Sequence, residues 1–491
     1  MKTLIMKTIT MKRFVLASAL LISAGACEMD LEPFDSKTDA TALSTVNDLQ
    51  TATYGVYAGL VNADYTRIQH FLGEYPGDNV ALSGTTSDPL YNIYNYTDYP
   101  GNSRTHAFWR QAYKVIFSAN QVIENITEGE SASLDQLKGE NLYLRAMVHF
   151  DLVRFFGRPY SQGAGSNPGV VIKDKTSDEE FPSRSTVKEV YDFIIADLEK
   201  AATLMTEEKS SVFASEQVAN ALLARVYLYK EDNAKALLYA NKVLTSDRYQ
   251  LVDTEPYKKY FTVVPENNPE TIFAIRHTVA DNRLKNAIGS MYYNDPVTKS
   301  TGWGEVYASV AFINLLNTYQ EDARHSFIEL QLDENGDTLK RGNVPKYFVN
   351  KYNWQEGVAN LSSPVYLRLA EMYLNRAEAN AKLDNGQLAL DDVNIIRERA
   401  GLSGTDLYTL TDLKGHASVL DVVLEERRLE LAFEGHRPGD VFRNNLPLIR
   451  AYPGFHSQDR YNQTILPTDD RVVFFIPERE VVVNPNLNQN P

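Results

Sequence analysis

The densest run of groups that could act on a substrate is acidic and lies at residues 425–434. Two carboxylates facing one bond are the machinery of glycoside hydrolysis, so this run raises the hypothesis of a glycoside hydrolase. The run has helical spacing, however, and Arg427 and Arg428 are interleaved with the acids at intervals that form ion pairs within a helix. The pattern therefore favours a structural role for these charges.

A tryptophan between two glycines is the best candidate for a binding contact. Gly302-Trp303-Gly304 lies in a turn-rich stretch and precedes a helix that is predicted to begin near Ser309. Glycine on both sides allows the backbone to bring an indole to the surface, where its face can stack on the apolar face of a sugar ring. The alternative is a tryptophan buried beneath its loop, since large aromatic side chains mostly belong to the core.

Metal and cofactor chemistry has no support in the spacing of ligating residues. Residues 333–337, Asp-Glu-Asn-Gly-Asp, imitate the start of a calcium loop but lack its glycine at the sixth position and its glutamate at the twelfth, so a hairpin turn is predicted. The eight histidines show no ligand spacing such as His-Glu-x-x-His. Cys27 is the only cysteine, which excludes a site built on cysteine pairs. No cofactor is expected.

Charge and composition narrow the classes of partner. The 491 residues carry a formal net charge of -15, so the field of the molecule repels the phosphates of nucleic acids and anionic lipid surfaces. Hydrophobic residues make up 43% of the chain, which is enough for a sizeable core. The chain is therefore expected to be globular and to have no nucleic-acid partner.

Helical periodicity begins at Val46 and predicts a mainly α fold. Segments 215–245 and 366–400 share one pattern, in which alanines fall where two helices approach closely and leucine or aromatic side chains fill the groove between them. This is the logic of tetratricopeptide-like helical hairpins, which must stack to bury their apolar faces. A third unit is predicted near 143–205, where helices over 143–156 and 187–205 pair across a Gly/Pro-rich insertion.

Long loops and a few short strands are predicted between these helices. Residues 250–360 combine short alternating segments, such as 271–275, with turn dipeptides. The stretch 74–106 has the same loop character, although the alternation of Asn92, Tyr94 and Tyr96 could also mark one face of a strand. Because long loops in a compact protein are more often functional than incidental, the regions near 74–106 and 277–308 are predicted to bind the ligand.

The amino terminus has the pattern of an export signal. Lys7, Lys12 and Arg13 precede an apolar run over 14–22, which is shorter than the roughly 20 residues that span a bilayer. Residues 21–27, Leu-Ile-Ser-Ala-Gly-Ala-Cys, resemble a bacterial lipobox, which implies that Cys27 is lipidated. We expect a lipoprotein signal peptide over 1–26, a lipid-anchored flexible tether over 27–45 and a single helical domain over 46–491. The alternative is an ordinary secretory signal with a stray thiol.

Five motifs, in order along essentially the whole mature chain, resemble the SusD/RagB family of outer-membrane lipoproteins. One such motif would be weak, but five in the same order are specific. They lie at residues 144–157 (with Leu-Arg-Ala and Phe-Asp-Leu-Val-Arg-Phe-Phe-Gly), 221–229, 366–379, 425–437 (ending in Glu-Gly-His-Arg) and 476–487 (with Ile-Pro-Glu-Arg-Glu and Asn-Pro-Asn-Leu). The chain departs from the family at Pro438 and Gly439, where an aromatic residue usually follows Gly-His-Arg, and this departure concerns only the local packing of that turn.

The resemblance implies a surface-exposed, lipid-anchored outer-membrane protein that is not an enzyme. Such a protein binds oligosaccharide or polysaccharide nutrient and delivers it to a SusC-like TonB-dependent transporter, while one branch of the family captures peptides instead. The family's site has an aromatic residue in a Gly-Trp pair, a tyrosine upstream of it, a polar contact and an aromatic wall. The residues that correspond to these contacts are, in that order, Trp303, Tyr292, Asp78, and the trio Tyr91, Tyr94 and Tyr96.

Three function classes remain open at the level of sequence. They are ligand capture by exposed aromatic side chains, glycoside hydrolysis, and a tetratricopeptide-like adaptor whose only partners are proteins. Aromatic residues concentrated in loops favour the first. The identity of the ligand stays open, because stacking tolerates many sugars and discrimination depends on hydrogen-bond geometry.

Overall fold

The computed structural model describes residues 43–82, 87–177, 181–295, 298, 300–341, 343–456 and 461–491. Residues 50–491 form one compact unit, and residues 43–49 are the described part of a preceding unit. The predicted signal peptide, Cys27 and the tether as far as residue 42 lie outside the described residues. In the part of the chain that the structure describes, no helix is both long enough and apolar enough to cross a membrane.

Helices dominate the described residues and strands are short, which confirms the predicted mainly α fold. The helices are α1 Val46–Val61, α2 Ala63–Glu74, α3 Leu90–Tyr94, α4 Ser103–Glu124, α5 Ala132–Phe156, α6 Val187–Leu204, α7 Glu216–Tyr229, α8 Asn233–Leu244, α9 Thr254–Tyr257, α10 Gly289–Tyr292, α11 Val310–Leu316, α12 Leu369–Lys382, α13 Gly386–Arg399, α14 Val419–Glu430, α15 Arg437–Arg443 and α16 Glu478–Val483. The strands are β1 Val80–Leu82, β2 Thr271–Ala274, β3 Val306–Ala308, β4 Ile328–Leu330, β5 Lys340–Arg341, β6 Val344–Pro345, β7 Tyr347–Val349, β8 Val365–Arg368, β9 Leu448–Ala451 and β10 Asn462–Ile465.

Polar side chains fix where several of the longer helices begin. Asn102 caps α4 by accepting a hydrogen bond from the backbone N–H of Arg104 at 2.8 Å. Thr186 and Glu189 form a reciprocal capping box at the start of α6. These caps give partners to backbone N–H groups that would otherwise have none at a helix start, and each contributes about 0.5–2 kcal/mol.

Both predicted hairpins are present, because α7 packs against α8 and α12 packs against α13. Ala224 in the first hairpin and Ala377 in the second are fully buried, as close helix packing requires. The turn passes through a left-handed residue in both, with φ of 64° at Glu231 and 62° at Asp384. The two sequence segments therefore fold in the same way down to the conformation of the turn.

The third predicted unit is also present and joins a continuous stack. Helix α5 packs along α6, and a Cβ at Gly139 would lie only 2.6 Å from the Cγ of Met205, so glycine permits this close approach. Further contacts join α4 to α5, α6 to α7, α8 to α12 and α12 to α14. The apolar faces of the units are thus buried against their neighbours, as expected of stacked repeats.

The described strands form five antiparallel pairs: β1 with β3, β2 with β8, β4 with β7, β5 with β6, and β9 with β10. Strand β2 confirms the short strand predicted at 271–275. The segment 333–337 is a hairpin turn, as predicted, because Leu332 pairs with Thr338 across it. The carboxylate of Asp333 accepts hydrogen bonds from the backbone N–H groups of Asn335 and Asp337, both at 2.9 Å.

Two stretches differ from the predictions. Residues 74–106 are not one long loop, since they contain β1, α3 and the start of α4. The alternation that suggested a strand at 92–96 falls at α3, where Asp88 starts the helical turn by accepting a hydrogen bond from the N–H of Leu90 at 3.0 Å. Residues 366–368, predicted as part of a helical hairpin, belong instead to β8, because this strand pairs with β2 before α12 begins.

The acids at 425–434 are structural, as predicted, but their ion pairs join different elements instead of running along one helix. Helix α14 is packed within the stack, so its charged groups meet neighbours rather than solvent. Even Arg427 and Arg428 pair outside the helix, with Asp440 at 2.8 Å and Asp78 at 3.2 Å. The acids themselves pair as follows: Glu425 with His416, Glu426 with Arg324 and Arg397, Glu430 with Arg324, Arg368 and Arg399, and Glu434 with Arg368 and Lys351. Burial opposes the charged form of Glu430, but the surrounding guanidinium groups outweigh it and hold its pKa below the ordinary range.

Candidate ligand-binding site

The two loop-rich regions predicted to bind the ligand meet in the fold. Strands β1 and β3 pair antiparallel, with Val80 opposite Ala308 and Leu82 opposite Val306. The hydroxyl of Ser309 donates to the backbone carbonyl of Asp78 at 2.7 Å while it also caps α11. Segments more than 200 positions apart in the sequence are therefore held together at one place.

Trp303 projects from a loop whose backbone is fixed on both sides. Its side chain is 51% exposed, so the indole is not buried beneath the loop. The backbone N–H groups of Trp303 and Gly304 both donate to the carbonyl of Ser290, at 2.6 and 3.0 Å. A Cβ at Gly302 would fall 2.1 Å from the carbonyl oxygen of Tyr293, and Gly304 has a φ of 55°. Both glycines are thus required, as the sequence pattern suggested.

The indole of Trp303 also makes contacts of its own that fix its position. Its Nε1–H donates to the carbonyl of Lys285 at 3.2 Å, and the ammonium of Lys285 lies 4.9 Å from the ring centroid. A ring held by backbone and side-chain contacts loses little conformational freedom when a ligand binds. The flat apolar ring can stack on a ligand ring, and the ammonium of Lys285 beside it can donate a hydrogen bond to the same ligand.

Trp354 is a second exposed indole, and the sequence reasoning missed it. Tyr293, Trp303 and Trp354, with the loops that carry them, form the Trp303 loop cluster. The side chain of Trp354 is 36% exposed, and its ring meets the ring of Tyr293 edge-on, with centroids 5.4 Å apart. Tyr293 follows α10, onto which the Trp303 loop is hydrogen-bonded. The available signal was the same as for Trp303: a tryptophan in a turn-rich stretch close to a glycine, here Gly357.

Tyr292 is buried, so it does not offer a ring to a ligand. Its side chain is fully enclosed, and its hydroxyl forms a 2.8 Å hydrogen bond with Nε2 of His70. Its ring stacks on that of Tyr352 at a centroid distance of 5.9 Å. Burial lowers the pKa of His70 to about 3, so a neutral imidazole forms this hydrogen bond at physiological pH. Tyr292 supports the loop from beneath, because α10 places it on the inner side.

Asp78 is likewise a structural residue in this structure. Its carboxylate, 5% exposed, accepts from Nε of Arg437 at 2.7 Å and pairs with Arg428 at 3.2 Å. Burial opposes ionisation of Asp78, but the two guanidinium groups outweigh it and hold the pKa of the carboxyl below its ordinary range. Asp78 therefore joins the first loop region to α14 and α15 and has no open face for a ligand.

The predicted aromatic wall is mostly internal. Tyr94 is fully buried, with the guanidinium of Arg450 4.4 Å from its ring centroid, and Tyr96 is 7% exposed with its hydroxyl donating to the carbonyl of Pro76 at 2.8 Å. Arg450 also donates to the carbonyls of Tyr75 and Gly77, each at 2.7 Å, and so gathers this loop around itself. Tyr91 alone of the three keeps part of its surface exposed.

The structure thus separates the six predicted contacts into an exposed minority and a buried majority. Trp303 is open and Tyr91 partly so, whereas Tyr292, Asp78, Tyr94 and Tyr96 are enclosed. Among the described residues, no group of three or more His, Cys, Asp or Glu side chains is placed to hold a metal ion. The arrangement around Trp303 is suited to stacking and hydrogen bonding.

Two family models match separate parts of the chain. Residues 266–491 match the model described as the SusD family, and residues 30–228 match one described as starch-binding and associating with the outer membrane. Two similar sequences are SusD-like proteins of Formosa agariphila. The one named P38 is 26% identical over 98% of this chain and 99% of its own, and the one named P2 is 28% identical over 96% and 97%.

Solved structures have the same fold. A SusD superfamily protein from Bacteroides thetaiotaomicron superposes with a TM-score of 0.83 at 28% identity, covering 91% of this chain and 100% of its own. A candidate sugar binding protein from Bacteroides vulgatus gives a TM-score of 0.79 at 27% identity, covering 92% and 99%. The similarity therefore extends over nearly the whole of both chains.

Proposed function

Because the chain belongs to the SusD family, we propose that it captures oligosaccharides at the surface of an outer membrane and delivers them to a SusC-like TonB-dependent transporter. The observation that carries this proposal is the half-exposed indole of Trp303 on a loop fixed by Ser290 and two obligatory glycines. Trp354 extends the aromatic surface of the same loop cluster. A rigid aromatic platform gains affinity because its ordering is complete before the ligand arrives.

Glycan is favoured over peptide by the proteins that this chain resembles. One matching model is described as starch-binding, and one similar structure is that of a candidate sugar binding protein. Aromatic faces also suit sugar rings, whose axial C–H groups form apolar surfaces. Capture of peptides is the alternative within the same family, and the array described below distinguishes the two.

The proposed role involves no catalysis. Of the carboxylates at 425–434 that suggested a glycoside hydrolase, the side chains of Glu426, Glu430 and Glu434 are nearly inaccessible to water and are neutralised by cations from other elements. Glu425 is more exposed and lies 3.2 Å from His416, so no second free carboxylate of this run accompanies it. A general acid and a nucleophile for glycoside hydrolysis must instead reach the bond from a cleft. Lipidation at Cys27 would tether the protein to the membrane, since one acyl chain is marginal and two or more anchor stably.

A glycan and peptide array on the protein lacking residues 1–27 tests the ligand class. We expect an oligosaccharide to bind and to be recovered intact, with affinity falling at least about tenfold in Trp303→Ala because stacking on the indole is lost. Leu388→Ala is a matched control, since Leu388 is 55% exposed in α13 and lies outside the loop cluster. Shortened glycan after incubation would establish a glycoside hydrolase instead. Absence of binding to every glycan and peptide on the array would favour an adaptor whose only partners are proteins.

Association with a transporter can be tested separately from ligand binding. Co-purification of the lipidated, full-length protein from outer membranes should recover a large TonB-dependent transporter. A Cys27→Ala variant should appear in the soluble periplasmic fraction rather than the membrane. Recovery of the wild-type protein in that soluble fraction would contradict the anchor, whatever the array shows.

A further inference from the structure

A groove lies on the surface between α4, residues 171–176 and α16. Its volume is about 380 Å³, within the roughly 300–1,000 Å³ range of small-molecule sites. None of its lining residues belongs to the Trp303 loop cluster. It is therefore a separate concavity large enough for a ligand of its own.

The floor of this groove is an aromatic stripe along one face of α4. Trp109, Tyr113 and Phe117 follow one another at four-residue steps and all line the groove. The rings of Trp109 and Tyr113 are in contact, with centroids 5.0 Å apart, while Phe117 is 46% exposed. Phe117 is not an isolated exposed ring, because it continues the aromatic stripe into a concavity, and a contiguous apolar surface of this kind is typical of a ligand groove.

The rim of the groove carries charged groups of both signs. Lys173 and Lys175 line one side, and Glu480 of α16 lines the groove as well. Within the described ranges, none of these three charged groups forms an ion pair or side-chain hydrogen bond with another residue. Donors and an acceptor around an apolar floor match a ligand with one apolar face and hydroxyl groups at its edge.

The walls of the groove are held in place before any ligand arrives. The hydroxyl of Tyr113 donates to the carbonyl of Val171 at 2.9 Å, and the amide of Asn120 donates to the carbonyl of Lys173 at 3.2 Å. On the other side, the amide of Asn484 donates to the carbonyl of Pro182 at 2.8 Å. The backbone that carries the rim is thus fixed, while the lysine and glutamate head groups stay available.

We propose that this groove is a second carbohydrate-binding site, in which a sugar ring stacks on Phe117 and Tyr113 and its hydroxyl groups bond to Lys173, Lys175 and Glu480. The site goes beyond the proposed role of Trp303 and does not depend on it. Two separate sites would allow one polysaccharide chain to be held at two points, which raises its overall affinity without any new contact at either site.

The chain contains three tryptophans, and this makes a direct experiment possible. In the double variant Trp303→Phe/Trp354→Phe, Trp109 is the only indole left, so its fluorescence reports on the groove. We would titrate this variant with linear hexasaccharides of glucose, xylose, mannose and galactose. At least one should change the emission saturably, and adding Phe117→Ala should weaken that binding about tenfold or more.

Matched variants separate stacking from general damage. Tyr54→Ala is the control, because Tyr54 is also 46% exposed and lies on α1, away from the groove. It should leave the titration unchanged, whereas Glu480→Gln should weaken binding, since a carboxylate accepts stronger hydrogen bonds than an amide. The melting temperature of Phe117→Ala should match that of the double variant, because the ring is half exposed.

Three outcomes would overturn the proposal: no saturable response to any hexasaccharide, equal losses in Phe117→Ala and Tyr54→Ala, or binding only of the apolar anion 8-anilinonaphthalene-1-sulfonate. The result is independent of the proposed function. A failure at Trp303 would appear as equal glycan affinity in the wild type and in Trp303→Ala, and that comparison does not involve the Trp109 signal.

Discussion

The loop regions at 74–106 and 277–308 are both rich in aromatic residues and both bury most of them, yet Tyr94 and Tyr96 in the first are drawn inward whereas Trp303 in the second is held at the surface. Around Tyr94 and Tyr96, Arg450 donates to backbone carbonyls and lies against a ring, which draws the loop inward. Around Trp303, two glycines bring the backbone so close to Ser290 and Tyr293 that the indole must point outward. The contrast shows that aromatic content alone does not make a binding surface, because the groups around the rings decide their exposure.

The largest loss of stability should come from removing Arg450, which holds the loop of the first region together. Arg450→Ala would leave the buried carbonyls of Tyr75, Gly77 and Tyr94 without donors, so the free energy of unfolding should fall by about 3–5 kcal/mol. Denaturant titration measures this loss. Arg471→Ala is the control, since that guanidinium is 47% exposed and its pair with Asp469 should contribute about 1 kcal/mol or less. Equal losses in both variants would contradict the proposed role of Arg450.

The next largest effect should be a pH-dependent change in stability that comes from Glu74, at the start of the first region. Burial raises the pKa of Glu74 to about 7, well above its value in an unfolded chain. At pH values between these two pKa values, the carboxyl group is protonated in the folded protein and ionised in the unfolded chain. The stability from this group is therefore complete below about pH 4 and is lost as the pH rises through 7. In Glu74→Gln, the difference in unfolding free energy between pH 5 and pH 8 should shrink by about 2–3 kcal/mol.

The matched control for this pH effect is Glu255→Gln. The side chain of Glu255 is 79% exposed, so its substitution should leave the pH profile of the wild type unchanged. Parallel stability curves for Glu74→Gln and the wild type would show that Glu74 is already ionised in the folded protein at pH 5.

The second region should be sensitive to backbone crowding. Gly302→Ala places a methyl group 2.1 Å from the carbonyl oxygen of Tyr293, so the loop must move and carry Trp303 with it. We expect a loss of about 1–3 kcal/mol in stability together with weakened glycan binding, measured by denaturation and calorimetric titration. Gly55→Ala meets no atom within 4 Å and should leave binding intact. Wild-type affinity in Gly302→Ala would argue against the Trp303 platform.

The smallest loss of stability should come from substituting Tyr292, which lies beneath the Trp303 loop. Tyr292→Phe removes the hydroxyl that bonds to His70 and leaves the buried imidazole without this partner, at a cost of about 1–2 kcal/mol. Glycan affinity should not change, because the ring of Tyr292 is enclosed. Tyr99→Phe is the exposed control and should change neither quantity. Loss of glycan affinity without loss of stability would mean that Tyr292 contacts the ligand after all.

Periodicity in the sequence predicted the helical hairpins because their packing is local. The pattern of small and large residues in 215–245 and 366–400 records which faces meet within each hairpin. The exposure of Trp303 also followed from adjacent residues, its two glycines. The burial of Tyr292 and Asp78 did not, because the partners that enclose them, His70 and Arg437, lie 222 and 359 positions away. No local pattern reports contacts at such a separation.

The buried ion pairs have a consequence for how the helical units find their correct neighbours. Hairpins with similar alanine-lined grooves could dock in more than one order if apolar fit were the only criterion. Arg225 pairs with Glu371 between α7 and α12, and Arg443 pairs with Glu378 between α15 and α12, all four nearly inaccessible to water. In a misassembled order these charges would be stranded in an apolar interior, at a cost of several kcal/mol each. The pairs therefore favour the native order of these helices over any order that would leave the charges unpaired.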